Sequence, residues 1–131
     1  MFKELTFYLE ACESGSMFPN LNADENIYAM TASNASLSSW GAYCGSEAYV
    51  DGKNIGSCLG DLFSINWMED TEANDVSLET LQTQQTTVTD LTTKSPVCTF
   101  GDFSFLSEPI GDFQGVVAET SYKQLMMSKF N

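Results

Sequence analysis

The sequence has no histidine and only five Lys and Arg residues in 131, against 18 Asp and Glu, for a formal net charge of −13. With so few cations no basic patch can form, which makes nucleic acid and an anionic membrane poor partners. No stretch approaches the roughly 20 apolar residues of a membrane span. The four cysteines, Cys12, Cys44, Cys58 and Cys98, include no CxxC spacing. Without imidazole, that argues against a structural zinc site, so no metal and no cofactor are expected. Residues 2–11 do not read as a signal peptide, because Lys3, Glu4 and Glu10 interrupt the apolar run and no cleavage site follows. Met1 therefore opens directly into what reads as core, which raises the expectation that the chain is a piece of a longer one.

What is present is globular. The apolar fraction is 43% and the aromatic fraction 12%, enough for one domain with a modest core and too much for disorder. Residues 5–11 form a nearly continuous apolar run, and residues 26–32, "NIYAMTA", form a second. Both read as strands buried on two faces, the kind found in parallel sheets covered by helices. The short connection between them leaves little room for a crossover helix, although a helical turn can start at residues 14–17. Residues 33–60 are loop-rich. A short helix follows Asp61, and the clearest helix spans residues 77–93, with Leu78, Leu81, Val88 and Leu91 inward, Asp75 or Ser77 as cap, and a solvated Thr/Gln face. Glu69 and Asp70 read as a solvated helix end. Pro96 ends this element, and residues 97–105 alternate as a third strand. Residues 115–131 are ambiguous, their methionines reading as core or interface.

Asp51-Gly52 is a tight-turn signal midway between Cys44 and Cys58. A hairpin-like loop there would bring the two sulfurs together. Their disulfide would close a loop of about 15 residues, worth about 3 kcal/mol, and would place the protein in an oxidising compartment. Two reduced loop thiols are the alternative. Asn34-Ala35-Ser36 fits the glycosylation acceptor pattern, which agrees with secretion.

Cys12 falls at the end of the first strand and is followed by Glu-Ser-Gly-Ser. Ligands bind outside the carboxyl ends of parallel strands. A small-residue turn there can expose the sulfur and aim backbone N–H groups at the same space, lowering the thiol pKa and holding a developing oxyanion. Buried cysteine in a strand is the competing reading. "EACESGSM" at residues 10–17, "YAMTASN" at 28–34, "SSWGAYC" at 38–44, "CLGDLFSINWMED" at 58–70 and "LETLQTQ" at 78–84 together resemble the legumain (asparaginyl endopeptidase, vacuolar processing enzyme) family of cysteine peptidases, in order and spacing.

The resemblance implies a caspase-like α/β fold: a three-layer α/β/α sandwich with a mostly parallel sheet, of which residues 1–131 would be the C-terminal part of the catalytic domain. It implies Cys12 as nucleophile, with its own N–H as one oxyanion donor. Glu10 and Asp61 would read the side-chain amide of a substrate asparagine. Ser38, Ser39 and Trp40 would pair with the substrate backbone, Trp40 also walling the pocket. For Asp61 a plain helix cap is the alternative, for Glu10 an accidental strand-end acid, and for Trp40 a loop residue packing on its neighbours. Glu13 reads as a surface acid.

A cysteine peptidase of this kind needs an imidazole. In the family, the histidine, the glycine after it and a pocket arginine lie upstream of the segment matched here. The expectation is a fragment, inactive alone, of an endopeptidase that cuts peptides and proteins after Asn, and after Asp at acid pH, in a vacuole or lysosome or after secretion. Its partner would be the missing N-terminal half. A two-part assembly, a non-catalytic binding relative and a glycolipid-anchor transamidase-like subunit stand beside it. Half a parallel sheet leaves apolar edges uncovered, so the isolated chain is expected to be marginally stable or aggregation-prone.

Overall fold

The computed structural model describes residues 2–116. Readings that fall on residues 117–131 lie outside the described residues. Strand β1 (Leu5–Leu9) pairs in parallel with β2 (Ile27–Thr31), Leu5 opposite Ile27 and Leu9 opposite Thr31. The ladder continues past the strand ends through Ala32 N–H to Leu9 O at 3.0 Å. Two minor hairpin-like pairs follow, β3 (Gly41–Ala42) with β6 (Gly60–Asp61), and β4 (Tyr49–Val50) with β5 (Lys53–Asn54). Helices α1 (Leu62–Ala73) and α2 (Leu81–Leu91) come next, then β7 (Cys98–Gly101) and the short helix α3 (Gly111–Gln114).

The main sheet has the order β1-β2-β7. Its third strand runs antiparallel to β2, Thr31 opposite Cys98 and Tyr28 opposite Gly101, so the described sheet holds one parallel and one antiparallel pair. The strand is also shorter than the alternating run of residues 97–105. Gly101 takes φ +90, and a Cβ there would run into Ile27 O. The chain turns away at that point, held by Asp102 N–H on Ile27 O at 2.8 Å.

Period two divides the sheet into two faces. Tyr8, Tyr28 and Met30 point to one side, where α1 and α2 pack. Tyr8 meets Phe63 and Trp67 edge-on, at ring separations of 6.5 and 5.3 Å. The core on this side joins Tyr28, Met30, Ala32, Phe63, Leu81 and Val88 to Phe105, Leu106 and Ile110 from the turns after β7. On the other side, the connection between β1 and β2 lies across the strands, its Phe18 ring against Phe7 at 5.5 Å and Phe100 at 6.0 Å. That connection contains one helical turn (Ser14–Met17) and no α-helix. Among the described residues the fold is therefore a mixed α/β sheet with α-helices on one face. The second helical layer of a three-layer sandwich is not among these residues. Strand β2 is buried as expected, but β1 is not buried on both faces: Phe7 is 43% exposed.

Helix α2 starts four residues later than its apolar spacing predicts. Residues 79–80 are held extended by a bridge from Thr80 to Pro109 and by Ile110 N–H on Glu79 O at 2.8 Å. Thr80 then caps the helix, its hydroxyl accepting Thr83 N–H at 3.1 Å. Asp75 organises the preceding turn instead, accepting from Ser77 N–H at 2.9 Å and from the Ser77 hydroxyl at 2.6 Å. Leu78 and Leu91 are consequently exposed, and the inward face is Leu81, Gln84 and Val88.

The Gln face is not fully solvated, and Asp70 is not a solvated helix end. Gln84 is completely buried and Asp70 is 7% exposed. Gln84 Nε2 donates to Thr71 Oγ1 at 3.0 Å and to Asp70 Oδ2 at 3.2 Å, while its Oε1 accepts the Tyr8 hydroxyl. Buried polar groups persist only when paired, and this knot pins α1, α2 and β1 together. Glu69 stays at the surface and accepts the Tyr43 hydroxyl.

Candidate active site

Cys12 lies three residues beyond the end of β1, and its thiol is exposed and free. The core-burial alternative does not hold. The turn that carries it is clamped to the end of β2. Ser14, 1% exposed, donates its hydroxyl to Ser33 O at 3.1 Å and accepts Ser33 N–H at 3.0 Å. Gly15 N–H reaches Ser33 O at 3.0 Å, and Glu13 N–H reaches Leu37 O at 2.8 Å. Gly15 is needed for this approach: a Cβ would sit 2.9 Å from Asn34 C and 3.0 Å from Ala35 N. Glu13 is a surface residue with φ 57. The Cys12 N–H has no backbone partner among the described residues.

The thiol itself meets the 38–40 segment. Sγ lies 3.8 Å from both Ser39 O and Ser39 Oγ. The Ser39 backbone, then the Ser39 and Ser38 hydroxyls, hold its pKa below the ordinary thiol value, against desolvation and the Glu13 charge. Ser38 and Trp40 are exposed and Ser39 is half-buried. The Ser38 and Ser39 backbone groups take no backbone partner among the described residues.

Glu10 and Asp61 come together on the same side as Cys12. Asp61 begins α1 but makes no side-chain cap bond. Glu10 supplies the cap from across the site: its Oε2 accepts Ser64 N–H at 2.8 Å, and Trp40 O accepts Leu62 N–H at 2.8 Å. The first turn of α1 is thus satisfied by two of the predicted site residues and not by its own N-cap. The second oxygen of Glu10, Oε1, is buried with no hydrogen-bond partner. Burial first, and the nearby Asp61 charge after it, push the Glu10 pKa up, while the Ser64 N–H and the nearby Ser64 and Ser39 hydroxyls oppose the rise.

The Cys44–Cys58 disulfide is formed, with an S–S distance of 2.02 Å. It packs on Gly41, where a Cβ would come within 2.7 Å of Cys58 Sγ. Since Gly41 follows Trp40, the bridge braces the segment that meets the thiol. Cys98 is the other free cysteine, half-buried, with its pKa raised by burial. Among the described residues no group of three Asp, Glu, Cys or His side chains could hold a metal ion. A shallow depression of about 240 Å³, lined by Gln82, Gln85, Thr99, Phe103 and Leu106, shares no residue with this site and offers no nucleophile.

The sequence reading missed Ser14 and Ser33, the pair that fixes the cysteine turn. The run of small residues after Cys12 was the available signal. It also missed that Glu10 caps α1, which only the folded chain reveals.

The peptidase C13 family model matches residues 1–116. The chain is 42% identical over 120 residues to the vacuolar-processing enzyme delta-isozyme of Arabidopsis thaliana, covering 87% of this chain and 26% of that protein. It is 44% identical over 119 residues to the vacuolar-processing enzyme of Vicia sativa, covering 87% and 24%. It is 40% identical over 116 residues to legumain of Mus musculus, covering 88% and 25%. The chain spans about a quarter of the length of these curated relatives.

Proposed function

The chain belongs to the peptidase C13 family, and on that premise we propose that it carries the nucleophile of a cysteine endopeptidase that cuts proteins after asparagine, and after aspartate at acid pH. The compartment proposed is a vacuole or lysosome reached through the secretory pathway, in keeping with the relatives' names and the disulfide. The observation that carries the reading is the exposed Cys12 thiol of lowered pKa, with a buried, unpartnered Glu10 oxygen two residues before it.

In this reading the Cys12 thiolate attacks the carbonyl carbon of the scissile amide, and the unpaired Cys12 N–H donates to the developing oxyanion. The substrate asparagine presents a carboxamide NH2, which donates to Glu10 Oε1 and to Asp61. A substrate aspartate is repelled while these acids are ionised. Because the Glu10 pKa is raised, the repulsion at Glu10 weakens as the medium is acidified. Ser38 and Ser39, with the N–H of Trp40, offer backbone groups for strand addition by the substrate, and Trp40 walls the pocket.

The sequence contains no histidine, so the base that takes the thiol proton and returns one to the leaving amine comes from outside residues 1–131. We assign these residues to the nucleophile part of the domain and the base to an N-terminal part, so that the piece alone is inactive. The same absence favours one second reading, a non-catalytic relative that only binds peptides. The coding sequence before Met1 separates them: a strand followed by His-Gly supports the enzyme. The direct assay joins that segment and measures cleavage of an Ala-Ala-Asn fluorogenic peptide at mildly acid pH. Cys12→Ala should lower kcat by more than about 10³-fold, and activity that survives it refutes the nucleophile assignment.

A further inference from the structure

Asn34-Ala35-Ser36 is the one Asn-x-Ser/Thr triplet in the sequence, and no role given above explains it. We propose that Asn34 carries an N-linked glycan, and that the glycan stands on the rim of the Cys12 site and hinders bulky molecules there.

The side chain is arranged with its nitrogen as the free end. Asn34 Oδ1 accepts Leu37 N–H at 2.9 Å, Ser36 N–H at 3.0 Å and the Ser36 hydroxyl at 3.4 Å. Asn34 Nδ2 makes no hydrogen bond among the described residues. Attachment at Nδ2 leaves Oδ1 an acceptor, so the loop keeps its hydrogen bonds after modification. Asn34 is half-buried and the residues that follow it, 35–38, are exposed, so a large group at this point borders solvent and not core.

The root of the glycan is also fixed. Gly15, three residues after Cys12, lies against the Asn34 and Ala35 backbone, and Glu13 N–H is bonded to Leu37 O at 2.8 Å. Four and five residues beyond Asn34, Ser38 and Ser39 reach the thiol. Residues 34–39 therefore run beside the cysteine turn, and a branched sugar rooted there occupies space in front of it.

The transfer needs a lipid-linked oligosaccharyl diphosphate as donor. Asn34 Nδ2 forms a bond to the anomeric carbon, the bond from that carbon to the diphosphate oxygen breaks, the lipid diphosphate leaves, and the amide loses one proton. Such donors occur in the oxidising lumen where the Cys44–Cys58 bridge would form. The inference rests on the secretory route proposed above.

The test is peptide mass mapping of the full chain expressed through a eukaryotic secretory pathway, before and after an amidase that removes N-glycans and converts the acceptor Asn to Asp. The expected result is a sugar-bearing peptide containing Asn34 that collapses to one Asp-bearing peptide. Ser36→Ala should abolish it while keeping the Asn34 turn, and Ser36→Thr should restore it. The rim placement is read by thiol labelling in a Cys98→Ser background. A bulky maleimide should label Cys12 several-fold faster after sugar removal, while a small alkylating agent labels at an unchanged rate. An unmodified Asn34 in a chain with the Cys44–Cys58 disulfide overturns the glycan and leaves the secretory route standing. An unmodified Asn34 in a fully reduced chain overturns both. A glycan whose removal leaves bulky labelling unchanged overturns the rim placement.

Discussion

Glu79→Gln should make the protein more stable at neutral pH and leave it nearly unchanged at pH 4.5. Glu79 is 9% exposed, and its Oε2 is buried without a partner. Burial first, then the nearby Asp70 carboxyl, push its pKa up to about 7 from 4.5, with Asn74 opposing the rise. The native protein therefore holds a proton that the unfolded chain has released between pH 4.5 and 7. Stability falls with pH wherever the native state binds more protons. The contribution is fully present below pH 4.5 and is lost as pH rises through about 7. A shift of that size corresponds to about 3 kcal/mol. Solvent close to part of the carboxyl reduces the expected loss to about 1–2 kcal/mol, or roughly 3–10 °C in Tm. Glutamine keeps the volume, carries no charge, and donates to Asp70. Thermal unfolding across pH 4.5–7.5 should show a falling Tm for the wild type and a flatter line for Glu79→Gln. Parallel lines, or a variant less stable at every pH, would refute the carboxyl pair as the origin of the slope.

Two further outcomes follow from the packing. Gln84→Leu fills the same space but orphans the Tyr8 hydroxyl and one Asp70 oxygen, and should cost about 2–3 kcal/mol in a denaturant titration. A loss under about 0.5 kcal/mol would show that the polar knot contributes little. Gly15→Ala drives a methyl into the Asn34 and Ala35 backbone, so the Cys12 turn must shift. Alkylation of Cys12 by a small reagent should change in rate in this variant while the far-UV spectrum stays native, and an unchanged rate would mean the turn does not need the close approach.

Much of the candidate site's local geometry was legible because its residues are close in sequence. Glu10, Cys12 and Gly15 sit within six positions, and strand β2 announces itself as a continuous apolar run. What was not legible depends on elements meeting at a distance. Nothing near Gln84 says that Tyr8 and Asp70 will arrive to pair it, so a Gln among Thr residues reads as solvated. The late start of α2 is set by residues 109–110, thirty positions away. The direction of β7 depends on how the chain returns over two helices and not on the composition of residues 97–105. The cap of α1 was sought in Asp61, the adjacent acid, whereas Glu10 provides it from just past the end of β1.

Because one Glu10 oxygen holds the first turn of α1 and the other stays unspoken for, the proposed reading of substrate and the architecture would share a single side chain. A neutral or shortened residue at position 10 would alter the proposed reading of substrate and loosen the helix at once. Substitutions at Asp61 or Trp40, whose side chains make no hydrogen bond among the described residues, would instead alter the proposed pocket while leaving the first turn of α1 in place.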